Sequence, residues 1–570
     1  MSVSSVDPLI DDIVQLWSDI NPVASYTSGY TTSLQQLVFQ TDAKTAELIV
    51  RIEALSARLS EITDPDLRQT AGAVLVNQRT QLELARPSGA GPSGTGAGGV
   101  YAAADGVFYL VLKGDYAADW VSAYLNTATE MVMFETKRWA NGSYTVEVKK
   151  ECLNTVTYMQ GTLSALVSAN PALADAAAQV NNALVKYQTI FYSEALASDD
   201  FDVFWAAFKA GDQEQGPQVA KGYPATLQNY YTLGMSADQV EQAANDWMLI
   251  DMPVTLDLAQ RIGAALGLPA TANLQTVWDA MSQRYAIDFT TEKMQEVLTA
   301  CNDYGQEKII GFTAQDVVKF SPTPSYLVNL VTGGEDFAID YLTQQPYSQL
   351  YLTASKNTSL LTMINILVHE ASHGFNFVMS ARLASSPLLN LNTSLEVPMT
   401  EGQAYYREYQ YYAGAAALLG QTNLTAAEQA YLNLYGDTPI AQAEAVLGAQ
   451  LETYIWRVIR YVRALCDVRV NGGKQTYTDF IAWAAQATGL SEQTLHGECF
   501  TFMASPGYAP CYAVGGATYG FLSTSGYSRG VTELSFNTQS SAMGFHSWPI
   551  DQMHMQNFAK GSEATPCLKT

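Results

Sequence analysis

Along most of the chain, apolar residues recur at steps of three and four, the spacing that gathers them on one face of a helix. Leu48, Ile52, Leu55, Leu59 and Ile62 form one such stripe and predict a long amphipathic helix. Ser236-Ala-Asp-Gln239 and Thr425-Ala-Ala-Glu428 each place a hydroxyl residue three positions before Gln or Glu. That is the pattern of a capping box, and it predicts a helix start at both places. No series of alternating segments joined by tight Asn-Gly or Asp-Gly turns suggests a major sheet. Tyr144-Thr-Val-Glu-Val148 is the best short strand candidate. The expected fold class is therefore mainly α.

The pattern is interrupted most clearly at residues 87–99, Pro-Ser-Gly-Ala-Gly-Pro-Ser-Gly-Thr-Gly-Ala-Gly-Gly. Glycine and serine at this density do not hold a helix, so a flexible surface loop is expected there. After Phe521 the character changes again. Residues 522–570 read as a divergent tail rich in Gly, Ser, Thr and Met, carrying His546 and His554. No internal repeat is evident, and residues 1–570 are read as a single helical unit.

Composition narrows the classes. With 570 residues, 48% of them hydrophobic and 15% charged, the chain can bury a sizeable core and is not of a disordered type. A net charge of −25 argues against nucleic acid or an anionic membrane as partner, since either needs a basic face. No apolar run approaches the roughly 18 residues of a membrane span. The first residues, Met-Ser-Val-Ser-Ser-Val-Asp-Pro, contain neither a basic nor an apolar leader region. A cytoplasmic location is expected, or a secreted one if a leader was removed, in which case the four Asn-x-Ser/Thr sequons gain meaning. Six scattered cysteines suit neither a disulfide framework nor a cysteine-type zinc site.

The chemistry concentrates at His369-Glu370-Ala371-Ser372-His373, which uses two of the five histidines. On a helix, positions i and i+4 share one face, so both imidazoles can hold one Zn²⁺ while Glu370 reaches a water beside it as general base. Catalytic zinc usually takes a third protein ligand. Glu401, in Thr400-Glu-Gly-Gln-Ala-Tyr-Tyr-Arg-Glu408, lies far enough on for a second helix to return alongside. Glu396 is the rival at shorter spacing, but it precedes Pro398 and is less clearly helical.

With two further stretches these motifs form an ordered set: Trp456-Arg-Val-Ile-Arg460 with Asp467, and Pro506-Gly-Tyr-Ala-Pro-Cys-Tyr512-Ala-Val-Gly515. Together with Asn21-Pro22-Val-Ala24 and Gly29 they make the chain, to about Phe521, resemble the family catalogued as domain of unknown function 885. Its members are helical relatives of the zinc-dependent thimet-oligopeptidase group. The family pattern runs H-E-A-x-P-G-H-H, E-G-W-A-L-Y-A-E, W-R-x-x-R-x-x-x-D and P-G-Q-A-L-S-Y-K-x-G. The resemblance implies a zincin-like helical body with a deep cleft between two lobes. It also implies that Tyr512 donates its hydroxyl to the oxyanion formed when water attacks a carbonyl. Three polar positions depart from the pattern: Ala513 replaces a lysine, Asn471 a histidine and Thr501 an arginine, and one histidine of the first motif has moved to His373. The metal machinery is retained while charges that would engage a peptide's ends are lost, which fits an unusual substrate.

Other candidates are weaker. His496 reads as a packing or surface residue, and His546, between Phe545 and Ser547-Trp548, as a possible pocket lining. Glu408 and His546 stand next in line as base should Glu370 not serve. Cys511 lacks a partner histidine by spacing. The expected function is a zinc-dependent hydrolase of an amide or peptide bond, acting on a small molecule or short peptide. The alternative is a repurposed zinc enzyme performing lyase or other non-hydrolytic chemistry on a small metabolite. A binding protein with structural zinc is disfavoured by the intact Glu370 and the open fourth position.

Overall fold

The computed structural model describes residues 7–85, 98–117, 119–325, 327–328, 331, 333–343, 345–353 and 359–561. Helices dominate these residues, and they pack into two lobes. In the first lobe, helices Gly98–Lys113, Val121–Trp139, Val146–Ala169 and Ala174–Phe191 close around Val107, Tyr124, Val132, Met159 and Leu184. The second lobe is larger and buries Leu367, Phe375, Ile455, Ile459 and Leu465. Its frame consists of Ala237–Ala265, a motif helix (Leu360–Leu383), a return helix (Val397–Leu418), a long brace helix (Pro439–Val470) and a tyrosine helix (Tyr508–Tyr527). The N-terminal helices Pro8–Ile20, Asp42–Ser56 and Pro65–Leu84 share a third cluster with Leu388 and Leu395. Among the described residues no helix is long and apolar enough to cross a membrane.

Local sequence chemistry accounts for most helix starts. In both capping boxes the two hydrogen bonds form: Ser236 Oγ accepts from Gln239 N at 3.3 Å and Gln239 Oε1 accepts from Ser236 N at 2.8 Å. Thr425 and Glu428 repeat the exchange at 3.2 and 2.7 Å. The Leu48–Ile62 stripe shares one buried cluster, but its helix ends at Ser56, with a 3₁₀ turn at Leu59–Glu61 and Ile62 extended. Tyr144–Val148 is not a strand. Thr145 Oγ1 accepts from Val148 N at 3.3 Å and caps the helix Val146–Ala169, so a local cap overrides the β-branched composition.

A small sheet is present that the sequence pattern did not suggest. Strands β1 (Val317–Pro322), β2 (Gly334–Ile339) and β3 (Tyr347–Leu352) lie in the order β1-β3-β2. Strand β3 runs parallel to β1, with Phe320 opposite Leu350, and antiparallel to β2, with Asp336 opposite Leu350. It is buried from Ser348 to Leu352, so it lacks the polar–apolar alternation of a one-sided strand. The motif helix packs against all three strands.

Of the loop expected at 87–99, residues 87–97 lie outside the described residues, and Gly98 and Gly99 open a helix instead. Residues 533–542 and 548–559 of the tail are helical. Phe536, Trp548 and Met555 pack there against Tyr519 of the tyrosine helix, because the tail's few large apolar residues fall on one inward face.

Candidate metal centre

Ser359 caps the motif helix by accepting from Thr362 N at 3.1 Å, and the helix is then apolar on nearly every side, as an interior helix must be. His369 and His373 face the return helix from successive turns. Glu401 stands in the first turns of that helix, after Pro398. Three atoms meet: His369 Nε2 lies 3.1 Å from His373 Nε2, and Glu401 Oε2 lies 3.5 and 3.3 Å from them respectively. A tetrahedral ion with bonds of about 2.0–2.1 Å separates its ligand atoms by about 3.3 Å, so the triangle has the size such an ion demands. Glu401 Oε2 is moreover a buried carboxylate oxygen without a hydrogen-bond donor. The cluster is thus capable of chelating a metal ion.

Two of the three residues are held from behind. His369 Nδ1 meets Glu408 Oε1 at 2.6 Å, which keeps the proton on Nδ1 and turns the Nε2 lone pair inward. Arg460, from the brace helix, grips both Glu408 oxygens, one of them at 3.0 Å through Nη1. Tyr508 donates to Glu401 Oε1 at 2.5 Å. Asp467 accepts from Gly507 N at 2.9 Å and from the Tyr223 hydroxyl, fixing the turn that precedes Tyr508. Gly507 sits at φ +90°, a conformation glycine tolerates best.

Electrostatics follow from burial and these partners. Burial alone would raise the Glu401 pKa, but the imidazoles of His373 and His369 outweigh it and hold the carboxyl well below the usual range. Burial likewise opposes ionisation of Glu408, and Arg460 and His369 overcome it. Burial pushes Glu370 far up, and Glu335 and Glu401 add to this against the pull of His373. Glu370 carries no hydrogen bond among the described residues. Its Cγ packs close over Gly334 of β2, where any side chain would collide with it.

The other sequence candidates separate. Tyr512 lies at the site: its ring centroid is 6.2 Å from that of His369, near-parallel at 23°, with Arg460 and Arg463 each 5.7 Å from its face. Glu396 is apart from the triangle, and its carboxylate accepts from Thr393 N at 3.3 Å in its own turn. Glu408 is a support behind His369, so its place in line as base is withdrawn. His546 is withdrawn too: it pairs with Thr70 at 2.9 Å and lies 5.0 Å from the ring of His554, in the tail. His496 is a packing residue among Phe204, Trp205 and Phe500, bonded to Tyr477 at 3.0 Å, and burial lowers its pKa to about 4. The Cys511 thiol donates to Gly507 O at 3.4 Å inside its helix, and burial pushes it well up.

No family model matches the chain, and no curated protein matches it in sequence. Among solved structures, one from Shewanella oneidensis, provisionally described as a lipoprotein of unknown function, superposes with a TM-score of 0.62 at 14% identity over 97% of this chain and 100% of that one. A protein of Colwellia psychrerythraea with a similar description gives 0.56 at 15% identity, over 98% and 100%. These two likenesses concern the fold alone. Trypanosoma cruzi metallocarboxypeptidase 1 aligns over 98% of this chain and 97% of its own at 10% identity, with a TM-score of 0.40, too loose a superposition to bear on the site.

Proposed function

We propose that this protein is a zinc-dependent hydrolase that cleaves an amide or peptide bond in a small molecule or short peptide. The observation that carries the reading is the His369–His373–Glu401 triangle, with edges of 3.1–3.5 Å and an undonated Glu401 oxygen, beside an unengaged Glu370. Two imidazoles and one carboxylate suit zinc in both softness and number, with one position left open. Bound there, zinc supplies Lewis acidity to a carbonyl oxygen and makes a water molecule easier to deprotonate.

The protein's own groups divide the remaining work. Glu370, unengaged beside the triangle, takes the proton from the attacking water and passes it to the leaving nitrogen. The Tyr512 hydroxyl, which has no partner among the described residues, donates to the carbonyl oxygen as negative charge develops on it. Glu408 and Arg460 keep His369 in one tautomer and orientation.

The test joins metal content to turnover. The purified protein is expected to hold about one zinc per chain by elemental analysis, lost in the His369→Ala, His373→Ala double variant. Glu370→Gln should keep the zinc yet lose roughly 10³-fold or more of turnover on a library of amide and peptide substrates. Absence of any first-row transition metal, or full turnover in Glu370→Gln, would overturn the reading.

A further inference from the structure

A cavity of about 610 Å³ lies between the first lobe and strand β2. Glu335 and Asp336 of β2 belong to its lining, and this strand lies against the motif helix, Gly334 at Glu370 and Asp336 at Gly374. The cavity therefore lies along the strand that packs against the motif helix beside the candidate metal centre.

The lining has an uneven charge. Asp105 is bonded to the Tyr158 hydroxyl at 2.9 Å and has no cation beside it. Asp336 accepts from Ser348 through one oxygen and turns its buried Oδ1 toward Gly374 of the motif helix, on the face of β2 opposite Glu335 and Phe337. Glu335 carries no hydrogen bond or ion pair among the described residues, and its exposure is to this cavity. The fourth carboxylate, Glu135, is already paired with Arg138 at 3.2 Å. Arg138 is the one cation in the described lining: it also donates to Ala85 O at 3.0 Å and stacks 4.3 Å over Trp139, while its Nε is without a partner. Tyr101 and Tyr109 lie within electrostatic reach of both Asp105 and Glu335, and Phe108 packs 4.8 Å from Phe337 on the same wall.

Asp105 and Glu335, neither paired with a cation, are costly to hold in one cavity unless a positive charge joins them, and aromatic faces favour the same kind of guest. Burial accordingly pushes the Asp105 pKa up to about 7, a penalty that a bound cation would remove. A carboxylate or phosphate would meet repulsion from Asp105 and Glu335.

We infer that this cavity is a subsite for a cationic group of the substrate, an ammonium or guanidinium, held between Asp105 and Glu335. The inference deepens the hydrolase reading by naming a substrate class for the same site, and it rests on that reading only in calling the guest a substrate.

The experiment separates the two by measuring binding without turnover. Blocked tetra-alanine peptides carrying arginine at each position in turn are titrated calorimetrically into Glu370→Gln protein, zinc-loaded and zinc-stripped. The same peptides with citrulline, the uncharged isostere, serve as comparison. At one or more positions, arginine is expected to bind at least tenfold tighter than citrulline, with the preference reduced about tenfold in Asp105→Asn and abolished in Asp105→Asn, Glu335→Gln. Equal affinity at every position would overturn the subsite whatever the variants do, and so would a preference undiminished in the double variant. Failure to find a hydrolysed substrate would count against the proposed reaction and leave the arginine preference standing.

Discussion

Glu401 is gripped at one oxygen and bare at the other: Oε1 accepts from Tyr508 at 2.5 Å, and Oε2 faces two imidazole nitrogens with no donor. A carboxylate so held presents one lone pair in a fixed direction, which a metal ion needs and a structural hydrogen bond does not. Glu401→Ala should therefore lower zinc affinity by roughly a hundredfold or more. Glu396→Ala should leave it nearly unchanged, because that carboxylate serves its own turn. Competition titration with a zinc chelator reads both, and the reverse ranking would transfer the role to Glu396. Tyr512 offers a different signature. Its hydroxyl is asked to bond more strongly as charge develops, so Tyr512→Phe should reduce kcat roughly 10²–10³-fold with KM little changed. An effect confined to KM would make it a binding residue only.

At the scale of elements, the site depends on how closely the return helix and the tyrosine helix approach. A Cβ at Gly515 would lie 2.0 Å from Pro398 O and 3.1 Å from Gly402 Cα, both backbone atoms that cannot step aside. Gly515→Ala should cost about 3 kcal/mol in denaturant unfolding and weaken zinc binding, since Glu401 and Tyr508 sit on the two helices it pushes apart. Gly497→Ala, with nothing within 4 Å of the added carbon, should be neutral or slightly stabilising. Equal stability of the two variants would count against the contact, because helix propensity favours alanine at both positions. The same contrast explains what the sequence revealed. His369 and His373 were legible because their spacing alone puts them on one face, and the two capping boxes because they close within four residues. The Glu408–Arg460 brace and the Tyr508 support were not, since each needs two helices distant in the chain to meet side by side. Tyr508 did stand inside a recognised motif, and that was the only signal available. Strand β3 escaped because it is buried on both faces, and the acidic cavity because Asp105 and Glu335 lie far apart in the chain.

Over the whole molecule, a chain of net charge −25 buries an unusual number of its carboxyls. Burial, the leading cause in each case, pushes Asp105, Glu396, Asp467 and Glu533 up to about 7, and Glu147, which also shares a hydrogen bond with Asp212, up to about 8. In the unfolded chain such groups titrate near 4. Between about pH 4 and 7 the folded state keeps protons that the unfolded state releases, so stability is lost as pH rises through that window and stays low above it. Three buried histidines work the other way. His496 and His546 fall to about 4 and 3, and His554 is lowered as well, each because burial disfavours the charged ring, so they cost stability as pH drops below about 6.5. Five carboxyls raised to about 7 or 8 outweigh three rings, and protonation also relieves self-repulsion of the acidic surface. With zinc removed by chelator, so that ligand protonation does not confuse the reading, the thermal midpoint should be higher at pH 5.5 than at pH 8. Asp467→Asn should flatten part of that difference, because an amide in its place takes no proton. A midpoint that is equal at the two pH values, or lower at pH 5.5, would mean that the histidines dominate, or that water reaches these carboxyls in solution.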